Sequence, residues 1–176
     1  MNTLFSHVCV VTMDDRMSVW TDAFVGVTDG KISYLSKHAP EEKPDQIIDA
    51  TGMVLMPGLI NCHTHLPMQL LRGYADDLKL QEWLNDYIFP REDRLDGRCV
   101  RAATTLAVAE CLKFGVTSVS DMYYFCDDIC DVIAKSGMKA NISRGTSMFL
   151  GDDFDFEKFP ACQELVALKE KWHNYD

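Results

Sequence analysis

The stretch "MPGLINCHTH", residues 56–65, decides the fold class of this chain. A short, mostly apolar run leads into two histidines one residue apart, His63 and His65. Residues i and i+2 of an extended strand project from the same face, so both imidazoles point the same way and can share one cation. Neutral imidazole suits Zn²⁺, Fe²⁺ or Ni²⁺. The alternative is that both histidines only cap a strand and bond to the backbone.

Strand and helix patterns alternate after this stretch. Strands are predicted at 54–62 (buried on both faces), 116–122 and 139–146. Helices are predicted at 80–90, closed by Pro90, at 100–114 before Gly115, at 127–136 before Gly137, and near the end of the chain. This order is typical of βαβ units with parallel strands, as found in doubly wound sheets and in (β/α)₈ barrels. A barrel needs about 250 residues, so the chain has room for about three units.

Residues 1–53 have a different pattern, with short strands and turns. "FVGVTDGKISYLS", residues 24–36, contains Asp29-Gly30 between two β-rich runs, which favours a type I′ hairpin. We therefore predict a small β-sandwich-like unit over 1–53. The fold class is α/β, with a partial (β/α)₈ TIM-type barrel over 54–176.

Composition excludes several classes of protein. The formal net charge of -10 argues against a nucleic-acid partner. No apolar run reaches the roughly 20 residues of a membrane span, and the first residues lack the basic region and cleavage site of a signal peptide. Seven scattered cysteines are typical of reduced thiols, with a metal site at Cys126 and Cys130 as the minor alternative. Cytoplasmic localisation is expected.

Several longer motifs resemble one known family. They are the Pro-Gly-Leu-Ile-Asn-x-His-Thr-His run, its continuation "HLPMQLLRG" (65–73), "FPREDRL" (89–95), "GVTSVSDMYY" (115–124) and "GMKANISRG" (137–145). Together they are similar to the amidohydrolase superfamily, and within it to the 5-methylthioadenosine/S-adenosylhomocysteine deaminases, with chlorohydrolases and guanine deaminases as relatives. The resemblance extends from the β unit to about residue 145.

The resemblance implies a chemistry and a set of roles. A bound Zn²⁺, or alternatively Fe²⁺, activates water to attack C6 of an adenine ring, and ammonia leaves. His63 and His65 are then two metal ligands. Glu92 binds the ribose hydroxyls, unless it caps a helix. Arg144 contacts the substrate, unless it only forms a salt bridge.

Two further residues carry weaker expectations. Asp121 ends the second predicted strand and either orients a ligand histidine or forms a turn. Trp83 either lines the purine pocket or belongs to the apolar face of its helix. With His63, His65 and Arg144, Asp121 is expected to lie on the rim formed by the carboxyl ends of the strands.

The resemblance also shows what this sequence lacks. Family members take their remaining metal ligands and their general acid/base from later strands, and His173 lies in a predicted surface helix. We expect the N-terminal part of a nucleoside deaminase, a homo-oligomer at full length, inactive as this chain alone. No arginine follows Gly145, which weakens the case for S-adenosylhomocysteine as substrate. The alternatives are a guanine deaminase or triazine chlorohydrolase, and a non-catalytic truncated product.

Overall fold

The computed structural model describes residues 1–146 and 153–175. The chain forms two compact units, Met1–Pro57 and Gly58–Asp176. Within the described ranges, no helix is both long and apolar enough to cross a membrane.

The first unit contains a single mixed sheet and not the two layers of a sandwich. Its strand order is β3-β2-β1-β4, and β5 also pairs with β1. The strands are β1 (Thr3–Val11), β2 (Val19–Thr28), β3 (Lys31–Ser36), β4 (Gln46–Asp49) and β5 (Val54–Leu55). Asp29 and Gly30 join β2 to β3 with φ of 50° and 74°, so the predicted hairpin is confirmed.

The second unit is α/β, with three parallel strands in the order β6-β7-β8. In chain order its elements are β6 (Leu59–Thr64), a 3-10 turn (Leu66–Leu71), α1 (Leu80–Glu82), a π-helical segment (Trp83–Ile88), α2 (Phe89–Glu92), α3 (Gly97–Lys113), β7 (Val116–Tyr123), α4 (Cys126–Ser136), β8 (Lys139–Arg144) and α5 (Pro160–Trp172). The predicted stops at Gly115 and Gly137 are confirmed, since both adopt the positive φ that a residue ending a helix favours.

Helices α3 and α4 pack on β7 to make the main core of this unit. Val100 and Ile129 are completely buried, and Val119 of β7 is 2% exposed. The side chain of Asp96 accepts a hydrogen bond from the backbone N–H of Cys99 and so caps the start of α3. The core fixes β7, the central strand, whose carboxyl end carries several site residues.

Three predictions about these elements were wrong. The strand expected over 54–62 is two strands, because β5 pairs with β1 while β6 begins the parallel sheet, so the boundary between units lies at Pro57. Leu59 to His63 are exposed, not buried on both faces. Pro90 does not end its helix, because it lies in the first turn of α2, directly after the π-helical segment, and the backbone stays helical to Glu92.

Gly58, in the Pro-Gly-Leu part of the motif, permits a close approach between the first two parallel strands. A Cβ at this position would lie 2.0 Å from Oγ1 of Thr117. Such an overlap would push β6 away from β7, so the glycine is needed for the strand register that places the histidines.

Candidate functional site

His63 and His65 lie where β6 reaches the carboxyl edge of the parallel sheet. Their Nε2 atoms are 3.3 Å apart, and their rings are nearly perpendicular at 88°. Two nitrogens that bind one tetrahedral Zn²⁺ at about 2.0–2.1 Å are about 3.3–3.4 Å apart. The pair therefore has the spacing of two ligands to one metal ion.

The backbone of β7 sets the tautomer of His65. Its Nδ1 lies 2.7 Å from the carbonyl oxygen of Met122, a distance at which Nδ1–H donates to that oxygen. In a neutral ring this leaves the lone pair on Nε2, the atom that faces His63. Metal-binding histidines are commonly oriented in this way by a carbonyl or carboxylate.

Asp121 supports this strand end without bonding to a ring. Its Oδ1 accepts hydrogen bonds from the backbone N–H of Leu66 at 2.6 Å and from Oγ1 of Thr64 at 2.7 Å, on either side of His65. The side chain is 1% exposed, and burial raises the pKa of its carboxyl above the usual range. The carbonyl of Met122, and not Asp121, is the group that bonds to the ring of His65.

A cavity of about 950 Å³ opens beside this edge of the sheet, and both Glu92 and Arg144 line it. Glu92 comes from α2 and accepts a hydrogen bond from the Tyr123 hydroxyl at 2.6 Å. Tyr123 is 4% exposed, and its ring centroid lies 6.4 Å from that of His65. The tyrosine therefore links the histidine pair to the cavity.

Arg144, the last residue of β8, has three neighbours in the cavity. Its Nε donates to Oε2 of Glu164 on α5 at 2.5 Å, and its Nη1 donates to the carbonyl of Gly145. Its guanidinium carbon lies 4.7 Å from the centroid of the Tyr124 ring. The alternative of a salt bridge is therefore present, between Arg144 and Glu164. Both residues line the cavity, so a contact of Arg144 with the substrate stays a prediction.

The remaining predicted residues are Trp83 and the cysteine pair. Trp83 is half-buried in the π-helical segment, outside the cavity wall that the described residues form, so its role at a purine stays a prediction. Cys126 and Cys130 are buried against Leu168 of α5, and burial raises the thiol pKa of Cys126 to about 11 and that of Cys130 to about 12. Buried, apolar surroundings of this kind are typical of structural cysteines.

Sequence reasoning missed Tyr123 and Glu164. Tyr123 is the last residue of the parallel strand β7, a position that favours a site role, and "MYY" directly follows Asp121. Glu164 carries no local signal, because it meets Arg144 only through the packing of α5. Among the described residues, no three His, Cys, Asp or Glu side chains are grouped so that they could hold a metal ion.

The sequence matches the model of a known protein family. The model of the amidohydrolase family matches residues 54–171. The chain belongs to the amidohydrolase family. The residues that surround His63, His65, Glu92 and Arg144 therefore lie inside the region shared with that family.

Individual relatives of this amidohydrolase chain are nucleoside deaminases. It is 41% identical over 142 residues to the 5'-deoxyadenosine deaminase of Methanosarcina acetivorans, covering 81% of this chain and 33% of that protein. It is 34% identical to the 5-methylthioadenosine/S-adenosylhomocysteine deaminase of Acetivibrio thermocellus, covering 99% of this chain and 40% of that protein. The chain thus spans about a third to two fifths of the length of these relatives.

Solved structures also resemble this amidohydrolase chain. An adenosine deaminase from Xanthomonas campestris with bound zinc is 36% identical with a TM-score of 0.72, over 79% of this chain and 33% of that one. The zinc complex of atrazine chlorohydrolase from Arthrobacter aurescens has a TM-score of 0.85 at 21% identity, over 99% and 44% of the two chains. At that identity the second likeness concerns the fold alone.

Proposed function

We propose that this chain carries part of the active site of a metal-dependent aminohydrolase, which removes the amino group of an adenine-type nucleoside as ammonia. The substrates proposed are 5'-deoxyadenosine, methylthioadenosine, S-adenosylhomocysteine or adenosine. One observation carries the proposal: the Nε2 atoms of His63 and His65 lie 3.3 Å apart beside a cavity lined by Glu92 and Arg144. The named activities of the relatives support it.

Zinc is the metal we propose for the histidine pair, with Fe²⁺ as the alternative. The metal, when bound, supplies Lewis-acid activation of water for the hydrolysis. Catalytic zinc takes three protein ligands. We infer that ligands beyond His63 and His65, and the general acid/base, come from polypeptide outside residues 1–176. The parallel sheet is then part of a (β/α)₈ barrel, and the complete enzyme a homo-oligomer.

Glu92 is proposed to bind the ribose. A carboxylate can accept hydrogen bonds from both hydroxyls of a vicinal diol. Tyr123 donates to Oε1 of Glu92 at 2.6 Å. Burial and the neighbouring Glu92 raise the pKa of the Tyr123 phenol, so it stays protonated and keeps donating at all ordinary pH. This bond fixes the carboxylate while its second oxygen faces the substrate.

Glu92→Gln is expected to lower kcat/KM for 5'-deoxyadenosine by about 10- to 100-fold, because hydrogen bonds to a charged acceptor are replaced by weaker ones. The free base adenine lacks the ribose, so its kcat/KM is expected to change by less than about threefold. The assay is ammonia release by the protein at its natural length. Glu82→Gln, an exposed glutamate of α1, is the control and is expected to change neither value.

The competing functions give different results in that assay. A guanine deaminase or triazine hydrolase would act on a free base or triazine, with no special loss in Glu92→Gln. A non-catalytic product would release no ammonia from any of them. The mass of the polypeptide in its own cells separates the last case, because a mass near 20.0 kDa would mean that no further ligands are supplied by the same polypeptide.

Tyr123→Phe tests the support of Glu92. Loss of the phenol hydroxyl leaves the carboxylate free to rotate, so we expect KM for 5'-deoxyadenosine to rise about three- to tenfold while kcat changes little. Rates with adenine should not change. Tyr34→Phe, which also removes one hydroxyl donor but in the first unit, is the matched control. A fall in kcat alone, equal for nucleoside and base, would contradict this role.

A further inference from the structure

A series of neighbouring side chains leads from the histidine pair to the cavity. The Tyr123 ring lies 6.4 Å from His65, and the Tyr124 ring lies 5.2 Å from Tyr123. Arg144 then lies 4.7 Å from Tyr124 and bonds to Glu164. Tyr124, Arg144 and Glu164 line the cavity, whereas His65 and Tyr123 are not among its described lining residues.

The proposed function gives this order a meaning. If the purine C6 faces the metal and the ribose faces Glu92, the 5' group of the nucleoside extends past Tyr124 toward Arg144. Burial raises the pKa of Tyr124, and the charges of Glu92 and Arg144 act on it in opposite directions. Glu92, Tyr124 and Arg144 all line the same cavity.

The charges of the cavity do not favour an anion. Among its described lining residues, carboxylates outnumber cations by five to two, and the cations are Arg144 and Lys171. Both cations are already paired, Arg144 with Glu164 at 2.5 Å and Lys171 with Asp127 at 2.7 Å. The carboxylates are Glu92, Asp93, Asp127, Asp128 and Glu164.

Burial strengthens the effect at Arg144. Its side chain is 17% exposed, whereas that of Glu164 is 57% exposed. The carboxylate of Glu164 therefore neutralises a guanidinium that is largely shielded from water, and a second carboxylate brought there would face Glu164 at short range. Juxtaposed like charges oppose binding.

We propose that Glu164 makes this cavity selective for nucleosides with an uncharged 5' group, and that nucleosides with a 5' carboxylate are rejected. Of the substrates proposed above, this favours 5'-deoxyadenosine, methylthioadenosine and adenosine over S-adenosylhomocysteine, whose 5' group carries a carboxylate. This rests on the proposed function, because it assumes that a nucleoside occupies the cavity. Arg144 then donates hydrogen bonds to a neutral group and stacks against it. Glu164 determines specificity because its carboxylate neutralises the charge of the Arg144 guanidinium.

The test compares two probes of nearly equal shape, adenosine 5'-carboxamide and adenosine 5'-carboxylate. Their binding to the metal-free protein at its natural length is measured at pH 7 by isothermal titration calorimetry. We expect the carboxamide to bind at least about fivefold more tightly. Glu164→Gln keeps a hydrogen-bond acceptor but removes the charge, so it should narrow the difference about three- to fivefold. Glu170→Gln, an exposed glutamate of the same helix outside the cavity wall, should leave it unchanged.

Each result has a separate meaning. If neither probe binds, the proposed nucleoside site is wrong and the selectivity fails with it. If both bind equally, or the carboxylate binds more tightly, the nucleoside site stands and the selectivity is overturned. If the carboxamide is preferred but Glu164→Gln and Glu170→Gln narrow the difference equally, the assignment to Glu164 is overturned. The comparison of the two probes on the unaltered protein does not depend on how any variant folds.

Discussion

Replacing His65 with alanine is expected to lower the affinity of this chain for Zn²⁺ by at least about 100-fold. Removing a group that merely orients a metal ligand costs about 10- to 100-fold, and His65 is proposed as a ligand itself. Its Nε2 faces that of His63 at 3.3 Å, and its Nδ1–H is held by the carbonyl of Met122. His63→Ala is expected to give a loss of the same order.

Competition between the chain and a chromophoric chelator measures this affinity at pH 7. The unaltered chain should bind one Zn²⁺, though weakly, because it contributes two histidines and catalytic zinc takes three protein ligands. His173→Ala is the matched control, since His173 follows α5 and lies outside the pair. Nuclear magnetic resonance should show zinc shifting the ring signals of His63 and His65. Equal losses in His65→Ala and His173→Ala would contradict the assignment.

The features that sequence predicted well are those set by neighbouring residues. Asp29-Gly30 fixed the hairpin because both residues tolerate positive φ. Gly115 and Gly137 ended helices for the same reason. The shared rim of the parallel strands followed from the strand–helix order, and the register pairs Thr64 with Asp121 and Tyr123 with Arg144. These are consequences of local geometry and of a parallel sheet.

The features that sequence did not predict depend on residues far apart in the chain. Tyr123 meets Glu92 across 31 positions, and Arg144 meets Glu164 across 20. Neither contact can be predicted from the residues next to it in the sequence, because each depends on how α2 or α5 packs. The exposure of Ile60, 67%, was also unexpected, since an unbroken apolar run predicts burial on both faces but not which neighbours provide it.

The second large effect is expected at Asp121. Asp121→Ala should destabilise the second unit by about 2–4 kcal/mol, because the buried N–H of Leu66 and the hydroxyl of Thr64 lose their acceptor. Asp121→Asn should cost less than about 1 kcal/mol. Asparagine keeps an acceptor oxygen at the position of Oδ1. Its amide nitrogen takes the position of the buried Oδ2, which has no hydrogen-bond partner among the described residues. The amide also removes the charge whose burial raises the pKa of this carboxyl.

Urea unfolding followed by circular dichroism at the helical wavelengths measures these changes in the second unit, since the elements described in the first unit are all strands. Asp131→Ala is the control, because it removes a carboxylate that forms a partly exposed ion pair with Lys135, and its unfolding midpoint should not move.

A zinc titration distinguishes the positioning of His65 by Asp121 from a direct effect of the Asp121 charge on the metal. Asp121→Ala should weaken zinc binding about 10- to 100-fold by loosening the backbone on both sides of His65, whereas Asp121→Asn should not. If Asp121→Asn weakens zinc binding as much as Asp121→Ala, the charge of Asp121 acts on the metal directly, and its role as an acceptor that positions His65 is wrong.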